Sequence, residues 1–367
     1  MKITDLKVTI FEREHRPHGA VANFTGPVPR RTSVLLVRVL TDQGIEGVCG
    51  SFFADKGIVE NLETSLKPLI LARDPAYREQ VWQEFWRLSR VIWPHQFSQG
   101  LVDTALWDLA AKAANLPLYK FLGALRDKAP AYASSHTLRT PEDYGPQAEA
   151  ARGQGFTAYK LHPFGQARKD VDACMAARKA VGDGMALMSD PVAAYTRQEA
   201  MWVGRALEEL GFEWLEEPLP DWDIEGYVQL SAGLDLPIAG TEMAPGNIFS
   251  TAEYVRRKAV DIVRSDALFK QGVTALKKTA SLCEAFSMPC EVHSVGGPWI
   301  SAASLHVICS IPNCKYYECF YPPESYKVGV VEDIKIDNEG YAHAPQKPGL
   351  GLDLDWDWIK KHTLYES

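Results

Sequence analysis

The sequence lacks the features of secreted, membrane-spanning and nucleic-acid-binding proteins. Its seven cysteines form no CxxC pair and no Cys/His metal spacing, so reduced thiols in a cytosolic protein are the simplest interpretation. No run approaches the roughly 20 apolar residues that cross a bilayer, and the charged, alternating N-terminus is not typical of a signal peptide. The net charge of −8 argues against a nucleic-acid or anionic-membrane partner.

What is present indicates a globular protein with more than one domain. The 367 residues are 46% hydrophobic and 23% charged, and a chain of this length exceeds one ordinary core. Strand-like alternation comes first and helical patterns follow, which predicts a small α+β unit over residues 1–125. Within it we predict a strand at 2–12, a loop rich in proline and glycine at 13–31, a hairpin at 33–53, and helices at 57–90 and 97–114.

From about residue 130 the pattern changes to short apolar runs that alternate with helices. Eight such runs over roughly 190 residues predict a (β/α)8 barrel, which we place at residues 126–325. The runs are almost continuously apolar, as expected for parallel strands that are covered on both faces. The tail at 326–367 has no barrel period, so we expect it to pack back on the N-terminal unit.

Several predicted barrel strands end in a residue that can do chemistry. From Asp190 onward these residues recur in steps of 26, 26, 24, 27 and 25, which fits one strand plus one helix per step. Because the active site of such a barrel lies at the carboxyl ends of its strands, we expect the row to line one site. Its members are Lys160 with His162, Asp190, Glu216 or Glu217, Glu242, Asp266, His293 and Glu318.

Three carboxylates on successive strands, Asp190, Glu216 and Glu242, can converge on one hard cation such as Mg²⁺. A single acid at a strand end more often caps a helix or pairs with a lysine, but three at matching positions favour a metal site. Side chains alternate along a strand, so only one of Glu216 and Glu217 can share the inward face. Spacing alone does not choose between them.

Lys160 and His162 are two residues apart, so they face the same side of their strand. A buried lysine beside a cation has a lowered pKa, and a histidine titrates near neutrality, so we expect both to exchange protons. The alternative is that Lys160 neutralises the acids while His162 is a structural residue of the barrel.

Asp266 and His293 lie on neighbouring predicted strands, which suggests a carboxylate that orients the ring and raises its pKa. A lone structural histidine is the alternative. Arg264 shares the face of Asp266 and is a candidate for holding an anion. Glu318, on the last strand, is either a hydrogen-bond partner of a substrate or a salt-bridge acid.

Taken together, these segments resemble the mandelate racemase subgroup of the enolase superfamily over nearly the whole chain. The resemblance implies a modified (β/α)7β barrel under an N-terminal α+β capping domain, with the last helix replaced by the C-terminal tail. The matching segments are TDQGIEGVCG, DTALWDLAAKAANLPLYKFLG, YKLH, MSDP, WLEEPL, AGTE, RSDALFKQGVT, VHS and PGLGLDLD.

The resemblance also implies a role for each member of the row, and it makes the loops at 13–31 and 51–56 the segments that close over the substrate. The implied roles are Mg²⁺ ligation by Asp190, Glu216 and Glu242, proton transfer at the α-carbon by His162 and the Asp266–His293 dyad, and substrate carboxylate binding by Lys160 and Glu318. The family has a second lysine where this chain has His162, so the stereochemistry at the α-carbon stays open.

The chemistry implied by the resemblance is removal of the proton α to a carboxylate, and three hypotheses follow. The first is an Mg²⁺-dependent acid-sugar dehydratase that converts an aldonate or aldarate into a 2-keto-3-deoxy acid. The second is a racemase, epimerase or cycloisomerase with His162 and His293 as an opposed pair. The third is a non-catalytic metal-binding barrel. We expect a homo-oligomer, and the basic residues of the loop at 13–31 either face a distal anionic group of the substrate or are simply solvated.

Overall fold

The structure, a computed structural model, describes residues 1–14, 31–92, 96–323 and 327–367. Its strands are β1 Ile3–Glu14, β2 Arg31–Thr41, β3 Glu46–Ser51, β4 Lys128–Ser134, β5 Ala158–Leu161, β6 Ala186–Ser189, β7 Trp214–Glu216, β8 Ile238–Gly240, β9 Ile262–Ser265, β10 Cys290–Val292, β11 Tyr317–Phe320, β12 Tyr341–His343 and β13 Thr363–Glu366. Its α-helices are α1 Lys56–Asn61, α2 Lys67–Ile70, α3 Arg78–Leu88, α4 Gln96–Ala113, α5 Leu118–Phe121, α6 Tyr144–Gly153, α7 Ala167–Val181, α8 Arg197–Glu209, α9 Ile224–Gly233, α10 Ile248–Arg257, α11 Gly272–Ala285, α12 Pro298–Ile308 and α13 Trp356–His362.

The N-terminal unit is an antiparallel sheet with the order β13–β1–β2–β3, and helix α4 packs against β3 and β2. The alternation that predicted β1 buries Leu6 and Val8, and the predicted hairpin is formed by β2 and β3. The helix predicted at 57–90 is interrupted between α2 and α3. Pro75 has no N–H for a helical bond, and Ala72 adopts a left-handed conformation with φ of 62°.

The second unit is a nearly closed parallel barrel of eight strands with the order β10–β9–β8–β7–β6–β5–β4–β11. Each of its first seven strands in chain order is followed by a helix, α6 to α12, whereas β11 leads into the tail. This arrangement confirms the predicted (β/α)7β barrel beside an N-terminal α+β unit. Domain boundaries at residues 125 and 325 stay a prediction.

The tail returns to the N-terminal sheet, where β13 pairs with β1 and α13 packs on the same strand. On the way, β12 pairs in antiparallel fashion with β4, which ties the tail to the barrel as well. Within the described ranges, no helix is long and apolar enough to span a membrane. All seven cysteines lie in these ranges, and none forms a disulfide.

The side chains inside the barrel form two layers: an apolar layer at the bottom, called the floor, and a charged layer above it. A separate buried cluster fills the floor, with Tyr132 and Trp214 in edge-to-face contact at 5.9 Å. Because side chains two apart on a strand share a face, the residues two positions further along these strands form the next layer. That layer contains Ser134, Lys160, Asp190, Glu216, Arg264 and Glu318, each two residues after the floor residues Tyr132, Ala158, Met188, Trp214, Ile262 and Tyr316.

Candidate active site

Lys160 is a buried ammonium surrounded by carboxylates. Its Nζ lies 3.0 Å from Oε1 of Glu216, 2.9 Å from Oε1 of Glu318 and 3.7 Å from Oδ2 of Asp190. Burial lowers the pKa of Lys160, but the charges of Glu216 and Glu318 outweigh it and hold that pKa well above its usual range. The lowered pKa is predicted for a lysine beside a bound cation; among the side chains alone the carboxylates dominate, and the prediction for the metal-bound site stays a prediction. Lys160 serves as a fixed positive charge.

Glu318 is held between two cations. One oxygen accepts from Oγ of Ser134 at 2.9 Å, and the other lies 2.8 Å from Nη2 of Arg264. Burial raises the pKa of Glu318, but the charges of Lys160 and Arg264 outweigh it and keep that pKa well below its usual range. Glu318 is thus a buried, ionised acid at the base of the site.

The three predicted metal ligands lie around the same two cations. Glu216 contacts Lys160 and lies 2.9 Å from Nε of Arg264, while Oε2 of Glu242 lies 3.2 Å from Nη2 of Arg264. Asp190 follows β6 directly and reaches both Lys160 and His162. In the described part of the chain, however, no group of three or more acidic, histidine or cysteine side chains has the arrangement of a metal site. Ligation by these residues stays a prediction.

Glu217, the residue that spacing could not separate from Glu216, takes a different position. It follows the last residue of β7 in a left-handed conformation with φ of 37°, and its Oε1 accepts from the backbone N–H of Met243 at 3.2 Å. Burial and the nearby charge of Glu242 raise its pKa well above the usual range. Glu217 therefore lies at the same mouth as Glu242, outside the layer that contains Glu216.

Asp266 and His293 form a hydrogen-bonded pair at the ends of β9 and β10, with Nδ1 of His293 2.9 Å from Oδ2 of Asp266. Nε2 of the same ring lies 3.4 Å from Oε1 of Glu242. Burial lowers the pKa of His293, but the charge of Glu242 and the bond to Asp266 outweigh it and raise that pKa to about 9. Phe269 stacks on the ring with centroids 5.3 Å apart. The imidazole is oriented on two sides and carries a proton at neutral pH.

His162 enters the site from the end of β5. Its Nδ1 lies 2.6 Å from the carbonyl oxygen of Ser135, and since a carbonyl only accepts, Nδ1 carries the hydrogen. Nε2 lies on the other side of the ring, 3.2 Å from Oδ2 of Asp190. Phe320 stacks on the ring with centroids 6.2 Å apart.

The structure therefore brings the whole predicted row to the carboxyl ends of the barrel strands, and it adds neighbours that the spacing did not reveal. Ser134, Ser135, Phe269 and Phe320 carry no chemical signature, and only their positions could have pointed to them: Ser134 and Phe320 end β4 and β11, Ser135 follows β4, and Phe269 lies four residues after β9. Residues 15–30 of the predicted capping loop lie outside the described residues. Of its basic residues, Arg13 is described, and its guanidinium lies 3.6 Å from the ring centre of Phe52.

The fold and the side chains at its mouth define a barrel built for acid–base chemistry beside several buried carboxylates. Residues 6–123 match the family described as mandelate racemase / muconate lactonizing enzyme, N-terminal domain, and residues 143–358 match the enolase C-terminal domain-like family. The chain belongs to the mandelate racemase / muconate lactonizing enzyme family of the enolase superfamily, which confirms the predicted resemblance.

Individual relatives share most of their length with this chain. An arabinonate dehydratase of Saccharolobus solfataricus is 30% identical over 305 residues, 80% of either chain. A 3,6-anhydro-alpha-L-galactonate cycloisomerase of Streptomyces coelicolor is 28% identical over 351 residues, 93% of this chain and 92% of the relative. A D-glucarate dehydratase of Agrobacterium tumefaciens, solved with magnesium, superposes with a TM-score of 0.92 at 34% identity over 100% of both chains. These names agree with the prediction of an enzyme, a lyase with an isomerase as the alternative.

Proposed function

We propose that this protein is an Mg²⁺-dependent acid-sugar dehydratase that converts an aldonate or aldarate into a 2-keto-3-deoxy acid. The observation that carries the proposal is the Asp266–His293 pair, in which the ring is oriented, protonated and placed beside the buried carboxylates. Two of the three relatives named above are sugar-acid dehydratases, which supports this substrate class.

Proton removal is the first step, and His162 is the group proposed for it. The hydrogen on Nδ1 is held by the carbonyl of Ser135, and Nε2, which lies beside Asp190, is the atom proposed to take the proton from the α-carbon. In the strand order, β6 to β9 lie between β5 and β10, so His162 and His293 enter the mouth from different sides. An α-hydrogen on one side and a β-hydroxyl on the other suit this arrangement.

Loss of the β-hydroxyl is the second step, and His293 is its general acid. The electron pair left by the α-proton forms the Cα–Cβ double bond while the Cβ–O bond breaks. The departing hydroxyl takes the proton from Nε2 of His293 and leaves as water. The resulting enol gains a proton at Cβ and becomes the 2-keto-3-deoxy acid. A ring with a pKa of about 9 holds the required proton at neutral pH.

Negative charge grows on the substrate carboxylate when the α-proton leaves, and Lys160 is the group proposed to stabilise it. Its ammonium is buried and permanently charged, so it needs no rearrangement during the step. Glu318 shares Lys160 and Arg264 as partners and is proposed to hold Lys160 in place beside the same group.

The donor set fits a divalent cation, because carboxyl groups outnumber the cations around them. The pKa of Glu242 is raised to about 7 by burial and by the charge of Glu216, against the opposing charges of His293 and Arg264. Oxygen-rich, negatively charged sites of this kind suit Mg²⁺, which would add positive charge at the substrate carboxylate. We propose that Asp190, Glu216 and Glu242 hold it. The acids at the mouth are Asp190, Glu216, Glu217, Glu242, Asp266 and Glu318, and the cations are Lys160, Arg264, Lys270 and the protonated His293.

A racemase, epimerase or cycloisomerase is the second candidate function. It is favoured by the presence of two imidazoles, His162 and His293, because a base on each side of the α-carbon can remove and return a proton. One relative is named as a cycloisomerase. Such an enzyme exchanges the α-hydrogen with solvent and forms no 2-keto acid.

A substrate screen separates the two. The purified protein is incubated with aldonates and aldarates plus Mg²⁺, and 2-keto acids are detected with semicarbazide. We expect a keto product from at least one sugar acid. Absence of a keto product from every compound, together with deuterium uptake at the α-carbon, would replace the dehydratase by the isomerase.

A further inference from the structure

Arg264 is a fully buried guanidinium inside the barrel, with an exposed fraction of 0%. Its Nη2 lies 2.8 Å from Oε2 of Glu318 and 3.2 Å from Oε2 of Glu242. Its Nε lies 2.9 Å from Oε1 of Glu216, although that contact is not aligned as a hydrogen bond. Nη1 donates to the carbonyl oxygen of Glu291 at 3.3 Å. One side chain thus joins three carboxylates from β7, the β8 end and β11.

Neighbouring cations do not duplicate this role. Lys160 contacts Glu216 and Glu318, whereas Glu242 pairs with Arg264 and His293. An arginine cannot lose its proton in a protein, and its planar fork can reach several oxygens at once. A buried carboxylate without a partner is strongly destabilising. Arg264 therefore neutralises acids that would otherwise repel each other.

We infer that Arg264 is a built-in counter-cation of the metal site, a positioning residue that stabilises the metal-free enzyme more than the metal-bound one. This inference rests on the proposed function, because it takes Glu216 and Glu242 as metal ligands. A divalent cation and Arg264 both neutralise the carboxylates of Glu216 and Glu242. Each therefore reduces the stabilisation that the other provides. By linkage, Arg264 weakens the binding of Mg²⁺ while it keeps the empty site assembled.

Calorimetric titration with Mg²⁺ tests this on wild type, Arg264→Gln and Arg264→Lys. Loss of the charge in Arg264→Gln is expected to tighten the Kd for Mg²⁺ by about tenfold, a typical coupling between two sites. Arg264→Lys keeps the charge but loses the planar fork, so its Kd is expected to lie between those of wild type and Arg264→Gln. Saturating Mg²⁺ should also raise the Tm of Arg264→Gln by more than it raises the Tm of wild type. A purely structural arginine would lower the Tm equally with and without Mg²⁺.

Arg264→Gln leaves buried acids unpaired and could fail to fold, so a charge-balanced pair gives the same test. Glu318→Gln and the double variant Arg264→Gln/Glu318→Gln differ only by the arginine, and the double variant should bind Mg²⁺ about tenfold more tightly. Equal or weaker binding after loss of Arg264, in either background, overturns the inference and leaves the dehydratase proposal standing. No Mg²⁺ binding by any variant, wild type included, overturns the metal site as well.

Discussion

His293 and Asp266 lie on neighbouring parallel strands with Nδ1 and Oδ2 2.9 Å apart. Oδ1 of Asp266 accepts from the backbone N–H of Leu268 at 2.9 Å and from that of Phe269, so the turn after β9 fixes the carboxylate. Phe269, from the same turn, stacks on the imidazole. The chain immediately after β9 therefore orients the imidazole that follows β10.

Asp266→Asn is expected to shift the pH profile. The bond to Asp266 is one of the interactions that raise the pKa of His293 to about 9. If His293 is the general acid, turnover falls as pH rises through that pKa, because the ring loses its proton. Without the carboxylate the pKa is lower, so the fall should begin at least about one pH unit earlier. The measurement is kcat against pH for both proteins. A profile that stays in place, or that rises with pH in this range, contradicts the acid role.

His162→Asn is expected to lower kcat for dehydration by at least about 100-fold, the usual contribution of a general base. Asn removes the basic Nε2 atom, while binding of Mg²⁺ should persist within a few-fold. The exposed His343, which pairs with Asp337 on the surface, provides the matched control, and His343→Asn should keep wild-type turnover. A rate for His162→Asn within about threefold of wild type would remove His162 from the chemistry.

The two adjacent glutamates are expected to differ in their effect on metal binding. Glu216 stands in the same layer as Asp190, two residues after the floor residue Trp214, whereas Glu217 lies outside that layer. Glu216→Gln should therefore weaken Mg²⁺ binding by at least about tenfold more than Glu217→Gln, since loss of even a residue that only orients a metal ligand typically costs about 10- to 100-fold. Calorimetric titration of the two variants with Mg²⁺ shows which glutamate is the metal ligand. The opposite order would assign the metal to Glu217.

His306 is expected to limit stability in acid. It is buried where α12 meets α5 and the tail, its Nδ1 accepts from the N–H of Tyr119 at 3.1 Å, and its Nε2 lies 3.2 Å from the carbonyl oxygen of Leu350. Burial lowers the pKa of His306 to about 4, against 6.5 for an ordinary histidine. The unfolded chain therefore binds this proton more readily, so stability is complete above pH 6.5 and falls as pH drops towards 4.

Across that window His306 should account for a loss of about 3 kcal/mol in the free energy of unfolding. Urea unfolding of wild type and His306→Gln at pH 7 and pH 4.5 measures it. The variant should be less stable than wild type at pH 7, and its free energy of unfolding should fall by less on acidification. If acidification lowers the free energy of unfolding equally in the two proteins, groups other than His306 control the effect.

Much of the site's framework was predictable because the barrel has a regular period. Steps of 24 to 27 residues placed Asp190, Glu216, Glu242, Asp266 and His293 on successive strand ends, and the structure has them there. The period-2 rule also put Lys160 and His162 on one face. Both predictions depend only on local geometry, which a sequence carries.

Features that depend on contacts across the barrel were not predictable. The tautomer of His162 is set by the carbonyl of Ser135, 27 residues away, and the raised pKa of Lys160 results from glutamates 56 and 158 residues further on. The three carboxylates that meet Arg264 come from three other strand ends. A single sequence shows each of these groups but not which side chains they meet.

The most direct test of the account is turnover in D₂O by wild type and His293→Asn, with an active sugar acid and Mg²⁺, followed by NMR. The account predicts that wild type forms a 2-keto-3-deoxy acid with deuterium incorporated at C3, because solvent supplies the proton that converts the enol to the ketone. It also predicts that His293→Asn forms this product at least about 100-fold more slowly. Deuterium at C2 of recovered sugar acid with no keto product from wild type, or near wild-type turnover by His293→Asn, would contradict the account.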